Sequence, residues 1–169
     1  YKGIIGVVAD IIHVSKEYEI AIETALGGSI SNIVTDNEQT AKSMIQFLKK
    51  NRFGRATFLP LTSIRGRRAE NADRICGEEG VIGLASDLIR VDSQFGHLAD
   101  YLLGRVFIVD HIDHALALAK KYRYSLRIVT LEGESLNPGG SLSGGAYKNT
   151  GNLLGRHREM EELQKHVET

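Results

Sequence analysis

Cysteine is almost absent: Cys76 is the single one among 169 residues. That excludes an internal disulfide framework and fits a reducing cytosol. No apolar run approaches the roughly 18 residues that a membrane span needs, and no secretory leader is visible. Net charge is missing as well. Lysine plus arginine number 21 and aspartate plus glutamate 21, so no global field draws the chain to nucleic acid or membrane. Binding of that kind must come from local patches. Proline occurs only at Pro60 and Pro138. The remaining composition, 42% hydrophobic and 25% charged, is ordinary for a globular chain able to build a core. The first residue is Tyr1 and the last segment, Glu161 to Thr169, is polar and helical in pattern. Both ends read as cuts in a longer polypeptide.

What the chain does have is an internal repeat. The segment Gly3 to Val14 returns 77 positions later as Gly80 to Val91, with identical pairs at Gly3/Gly80, Ile5/Ile82, Gly6/Gly83, Asp10/Asp87, Ile12/Ile89 and Val14/Val91. The match continues at Gly27/Gly104 and resumes, after a length change, with Val34-Thr-Asp36 against Ile108-Val-Asp110. A repeat of this period implies two related α/β lobes rather than a solenoid. The expected divisions are lobe one over residues 1–62, a polar connection over 63–79, lobe two over 80–150, and a helical arm over 151–169.

Within lobe one the pattern predicts a helix ending at Gly27, with Tyr18, Ala21, Ile22, Ala25 and Leu26 on one face. A strand from Ile30 to Thr35 should follow. Asp36 is expected to cap a helix to about Lys50, with Ala41, Met44, Ile45 and Leu48 as its buried stripe. A short strand, Arg55 to Leu59, then stops at Pro60. Lobe two predicts the same order: a helix over Ser93 to Leu103, a strand over Arg105 to Val109, a helix after a capping Asp110, and a strand over Leu126 to Leu131. The fold class is therefore α/β (α+β), two pseudo-symmetric lobes with a C-terminal helix. Leu153, Met160, Leu163 and Val167 give that last helix a short a/d seam.

Outside the repeat stands Asn137-Pro-Gly-Gly-Ser-Leu-Ser-Gly-Gly145. Pro138 and Gly139 occupy the two central positions of a type II turn. A Walker A loop would need lysine and serine or threonine after the last glycine, and Ala146-Tyr147 stands there instead. A dinucleotide loop would follow the first strand, not a late one. Leu142-Ser-Gly-Gly145 echoes an ABC-type signature, but no Walker motif accompanies it. Two readings of the cluster remain. Either the glycines make two tight turns, or they let a second backbone approach a strand edge and pair with it.

Other constellations are weaker. His111 and His114 lie one helical turn apart without a third metal ligand at a readable spacing. Asp10 and Asp87 end matching apolar runs, which favours a repeated structural role such as capping over catalysis. The basic groups at Lys49–Lys50 and Lys120–Lys121 fit helix C-termini. Arg65, Arg67 and Arg68, together with Lys148, Arg156 and Arg158, are the candidates for phosphate contact.

Several segments taken together resemble the hinge domain of bacterial structural maintenance of chromosomes (SMC) proteins. They are Tyr18 to Gly27, Thr57 to Leu61, Arg127 to Gly133, Asn137 to Gly145, and Leu154-Gly-Arg156 leading into the terminal helix. The resemblance implies a non-catalytic domain without cofactor, metal, membrane contact or small-molecule substrate, joining two arms of a coiled coil. It implies a homodimer closed by two lobe-one to lobe-two contacts through Gly139, Gly140, Ser141, Leu142, Ser143, Gly144 and Gly145. DNA contact near the arm and a cytoplasmic, nucleoid-associated bacterial location follow from the same likeness, with ATPase heads elsewhere in the parent protein. Only Lys148 is basic in Tyr147 to Thr150, where the family carries a lysine run. The competing reading is a nucleotide-binding α/β enzyme domain that uses the glycine-rich loop.

Overall fold

In the computed structural model, which describes residues 2–145 and 153–168 apart from several side chains of the last segment, the repeat becomes two sheets of the same plan. Lobe one contains β1 (Ile4–Val7), a single-turn α1 (Val8–Ile11), β2 (His13–Val14), α2 (Glu19–Leu26), β3 (Ile33–Thr35), α3 (Glu38–Lys50) and β4 (Phe58–Pro60). After α4 (Ala72–Cys76), lobe two runs β5 (Val81–Leu84), β6 (Ile89–Arg90), α5 (Gly96–Leu103), β7 (Val106–Val109), α6 (Ile112–Lys121), β8 (Arg127–Thr130), β9 (Ser135–Leu136) and β10 (Leu142–Ser143). The chain then forms α7 (Leu153–Glu168).

The sheet of lobe one is ordered β1-β3-β4 and that of lobe two β5-β7-β8-β9-β10. In each lobe the first strand runs antiparallel to the second with a register shift, between Ile4 and Gly6 in one and between Val81 and Gly83 in the other. The third strand is parallel to the second in both. The repeated Gly-x-x-Gly run therefore encodes a bulged edge strand followed by a tight turn. β2 and β6 form a separate antiparallel ribbon in which His13 faces Arg90, its own equivalent in the repeat.

The core shows how the lobes are joined. Val106 and Ile108 face one side of β7, Phe107 and Val109 the other, and all four are buried. That is the period-two alternation of a strand covered on both faces. Val106 and Ile108 belong to a large cluster that also takes Val8, Ile12, Ile22, Leu26 and Val34 from lobe one and Leu98 and Leu103 from lobe two. One core thus spans both lobes. Phe107 and Val109 belong to a second cluster, with Ala115, Leu118, Ala119, Ile128 and Leu136, between the sheet of lobe two and α6.

Several local expectations need correction. The cap of α3 is Asn37, whose side chain accepts the Thr40 N–H, while Asp36 accepts from the Asn37 N–H and the Thr40 hydroxyl one residue outside the helix. Asp110 behaves like Asp36, and His111 holds the cap position of α6 without a side-chain bond. Asp10 lies inside α1 and Asp87 ends the single turn Ala85–Asp87, so neither stands at the N-cap of the turn in which it lies. The connection is no plain surface loop, because its α4 inserts Ile75 into the second core.

Ile45 is the most informative miss. It is 45% exposed, whereas Ala119, which holds the matching place on α6, is 3% exposed and packs in one cluster with Leu136 of β9. Among the described residues lobe one has no counterpart of β9, so its third strand β4 is the end of the sheet and the outer flank of α3 stays bare.

Candidate pairing edge and nucleic-acid interface

The glycine segment forms a hairpin between β9 and β10. The Gly140 N–H bonds to the Asn137 carbonyl at 2.9 Å, and Gly139 has φ +95°, so Pro138–Gly139 makes the expected type II turn. Gly140 (φ +104°) and Gly145 (φ +141°) are also left-handed, which a side chain tolerates poorly. A Cβ on Gly139, Gly140 or Gly145 would meet nothing within 4 Å, and one on Gly144 would approach Glu134 Cγ at 3.2 Å. The glycines are therefore needed for chain direction, and the space above them is open. The turn reading holds at Pro138–Gly139.

Among the described residues β10 is the end of its sheet, and every residue from Pro138 to Gly145 is exposed. It pairs with β9 in the register Leu142↔Leu136 and Ser143↔Ser135, and the Asn137 N–H bonds to the Ser141 carbonyl at 2.9 Å. Antiparallel partners alternate between bonded and non-bonded pairs. With Asn137–Ser141 bonded, Leu142 is a non-bonded position whose N–H and C=O point away from β9. The Leu142 side chain is itself 60% exposed. Beside it, Leu116, Ala119, Tyr124, Leu136, Asn137, Gly139, Gly140 and Leu142 line a largely apolar hollow of about 390 Å³. On lobe one, Ile45, Phe47 and Phe53 are exposed, and the last two rings lie 5.9 Å apart.

The basic candidates separate. Arg65 and Arg67 are exposed. Arg68 is held between Asp87 and Asp100, at 2.9 and 3.3 Å, and its bond holds the Asp87 carboxyl below the ordinary carboxylate range. Arg158 forms a short ion pair with the buried Glu19 and a second, at 2.8 Å, with Glu162. These bonds raise its pKa further. It is an anchor that docks α7 on α2, helped by His13 with Glu161 at 2.8 Å and by Leu154, 2% exposed in the shared core. Lys148 and the Arg156 side chain lie outside the described residues. Met160 and Leu163 of the a/d seam are 61% and 65% exposed.

A groove of about 880 Å³ that sequence reasoning missed runs between the connection and lobe two. Arg67, Arg105 and Arg127 line it, with Tyr101 and Tyr122. Arg127 is half-buried, and burial pulls its pKa below the ordinary guanidinium value. Only the fold brings Arg127 into one groove with Arg67, 60 positions away in the sequence. His111 and His114 gain Asp110 as a neighbour, one donor atom from each lying within 4.8 Å of the others. No helix among the described residues is long and apolar enough to cross a membrane.

The described residues form a pseudo-twofold pair of α/β lobes fused through one core, with free sheet edges and a C-terminal helix docked on α2. The family model for the SMC proteins Flexible Hinge Domain matches residues 1–119, and the chain belongs to that family. It is 46% identical over 168 residues to a chromosome partition protein Smc from Bacillus subtilis, covering 98% of this chain but 14% of that protein. Among solved structures it is similar to the SMC hinge domain of Geobacillus stearothermophilus, described as an asymmetric dimer, with TM-score 0.90, 40% identity, and 98% and 67% of the two chains covered. It is also similar to a Pyrococcus furiosus Smc hinge domain with an extended coiled coil, with TM-score 0.72, 29% identity, and 99% and 60% covered. The nucleotide-enzyme reading finds no support: the glycine turn joins two strands, and the family is that of a hinge.

Proposed function

We propose that this hinge homodimerises by joining the β10 edge of lobe two in each copy to the β4 edge of lobe one in the other. One observation carries the reading. Lobe two covers its third strand and the flank of α6 with β9, whereas in lobe one the same strand edge and the same helix flank, at Ile45, are bare. The hairpin of a second copy supplies what lobe one lacks. The other free edges, β1 and β5, are repeat equivalents and would not distinguish the lobes. Two such contacts close a ring, so both must open before the copies separate. Gly139, Gly140, Ser141, Leu142, Ser143, Gly144 and Gly145 are the interface segment on lobe two, and Phe58 and Leu59 present the receiving backbone on lobe one.

In the parent protein this dimer joins the coiled-coil arms of a bacterial chromosome-organising ATPase acting in condensation and segregation, on the nucleoid in the cytoplasm. The exposed Met160 and Leu163 are the seam on which the second helix of the arm lies. DNA is held without sequence specificity by Arg65 and Arg67, with Arg105 and Arg127 in the groove, and by Lys148 and Arg156 beside the arm. Arg68 and Arg158 serve these surfaces by position rather than as free cations.

Sedimentation equilibrium of the 169-residue chain at micromolar concentration tests the first claim. A dimer is expected, and a monomer overturns it. For DNA, an Arg67→Glu, Arg105→Glu variant should bind a short oligonucleotide more weakly, with the log–log salt slope reduced by about 0.7 to 0.9 per lost phosphate contact. An unchanged slope removes the groove from the interface.

A further inference from the structure

Asp36 and Asp110 are repeat equivalents, and each lobe builds the same frame around its aspartate. In lobe one the Asp36 N–H bonds to the Gly3 carbonyl at 2.9 Å, and its Oδ1 accepts from the Asn37 N–H at 2.8 Å and the Thr40 hydroxyl at 2.7 Å. In lobe two the Asp110 N–H bonds to the Gly80 carbonyl at 2.9 Å, its Oδ1 accepts from the His111 N–H at 2.7 Å, and His114 Nδ1 lies 2.8 Å away. Asn37 and Thr40 have thus become two imidazoles on an unchanged scaffold. His114 takes the bond that Thr40 makes in lobe one, and lobe one shows that the frame closes with no imidazole at either place.

The three side chains offer one donor atom each within 4.8 Å of the others. The two rings stack with centroids 4.1 Å apart and 26° between planes. His111 Nε2 is 3.9 Å and His114 Nδ1 2.8 Å from the same Asp110 oxygen. A tetrahedral ion with bonds of about 2.0–2.1 Å holds its donors about 3.3 Å apart, so binding requires the exposed His111 ring to turn out of the stack until its lone pair and that of His114 converge. Glu79 Oε1, 3.5 Å from His114 Nε2 on the exposed side, stands close enough to orient that ring. Two imidazoles with one carboxylate favour a borderline ion such as zinc over calcium or magnesium, which take oxygen ligands.

We propose that Asp110, His111 and His114 form a binding site for a divalent first-row transition metal, zinc being the best match, with water completing the shell. A bound ion ties the end of β7 to the first turn of α6, the helix whose Leu116 and Ala119 line the hollow beside the glycine turn. The site stands on residues apart from the pairing edge, so it holds or fails independently of dimerisation.

The test is calorimetric titration of the 169-residue chain with zinc chloride near neutral pH, beside a variant carrying the lobe-one residues, His111→Asn with His114→Thr. One ion per chain is expected for the parent. The variant should bind more than about tenfold more weakly while melting, without metal, at the parent temperature. A His111→Ala variant, altered at an exposed ring, should show the same loss should the double variant fold poorly. Equal affinity in parent and variants would place zinc on another histidine or Cys76 and overturn the site, as would no saturable binding to the parent. Magnesium binding as tight as zinc would refute the imidazole assignment.

Discussion

Replacing Leu142 by proline tests the pairing edge at a single backbone donor. Leu142 is the first residue of β10, a place where proline is tolerated, and its N–H points away from β9. The substitution therefore leaves the intramolecular ladder whole and removes one outward donor together with the side chain. Leu142→Ala removes the side chain alone, and comparing the two isolates the backbone term. With 60% of Leu142 exposed, covering it at an interface is worth about 1–2 kcal/mol of the 1.5–3 for full burial. Two equivalent sites double that, so Leu142→Ala should weaken the dimer by about 2–4 kcal/mol, roughly 30- to 700-fold in Kd.

Proline should weaken it further by the net value of one hydrogen bond, about 1 kcal/mol at each site. The additional loss is about 2 kcal/mol, roughly 30-fold beyond the alanine variant. Sedimentation equilibrium over a concentration series reads both numbers, and thermal melting of the dissociated monomers checks that the fold is intact. If the proline and alanine variants dimerise equally, the outward edge of β10 does not pair with a second backbone. Alanine at the glycines would be a poorer test, because the positive φ at Gly139, Gly140 and Gly145 strains the monomer whether or not a partner is there.

Two further outcomes follow from packing and charge. A methyl group at Gly104 would fall inside contact distance of the Arg67 and Asp100 carbonyls, and the Gly104 carbonyl accepts the Ala69 N–H at 2.8 Å. Gly104→Ala should cost about 1–3 kcal/mol, or roughly 2–4 °C in Tm per kcal/mol for a chain of this size, and a parent-like melt would refute the close approach. The Arg68–Asp87 bridge depends on an Asp87 carboxylate whose folded pKa is depressed by that arginine below 3.8. A depressed acid stabilises the fold above its unfolded pKa and loses that contribution as pH falls through the folded value. The Tm difference between the parent and Asp87→Asn, small because both partners are half exposed and worth at most about 1 kcal/mol, should be constant above that range and vanish below it. A difference that persists in strong acid would assign the effect to something other than this bridge.

What the chain revealed before folding was set by locality. The apolar run Val106 to Val109, bounded by Gly104 and Asp110, reads as a buried strand, and the repeat carries its plan to lobe one. The Pro138–Gly139 turn is legible because its geometry belongs to those two residues. Arg158 reads as a free cation because its buried partner, Glu19, lies 139 positions away. Ile45 reads as core because an apolar stripe says which side of a helix is greasy, not whether anything covers it. Asp110 and His111 are adjacent, yet the aspartate as a neighbour of both imidazoles emerges only when the α6 turn brings His114 back to it. Arg127 becomes informative only when the connection folds Arg67 into its groove.

The ribbon of β2 and β6 has a consequence of its own. His13 and Arg90 are copies of one position, and they face each other. An antiparallel pair between two copies of one segment is self-complementary, the geometry by which separate molecules meet about a twofold axis. A solitary lobe would carry in that strand the means of recognising its own duplicate. Fusion through residues 63–79 makes the encounter intramolecular, so it no longer depends on concentration. Each chain is in this sense a dimer already consummated, and dilution, which can drive separate chains apart, leaves its internal axis intact.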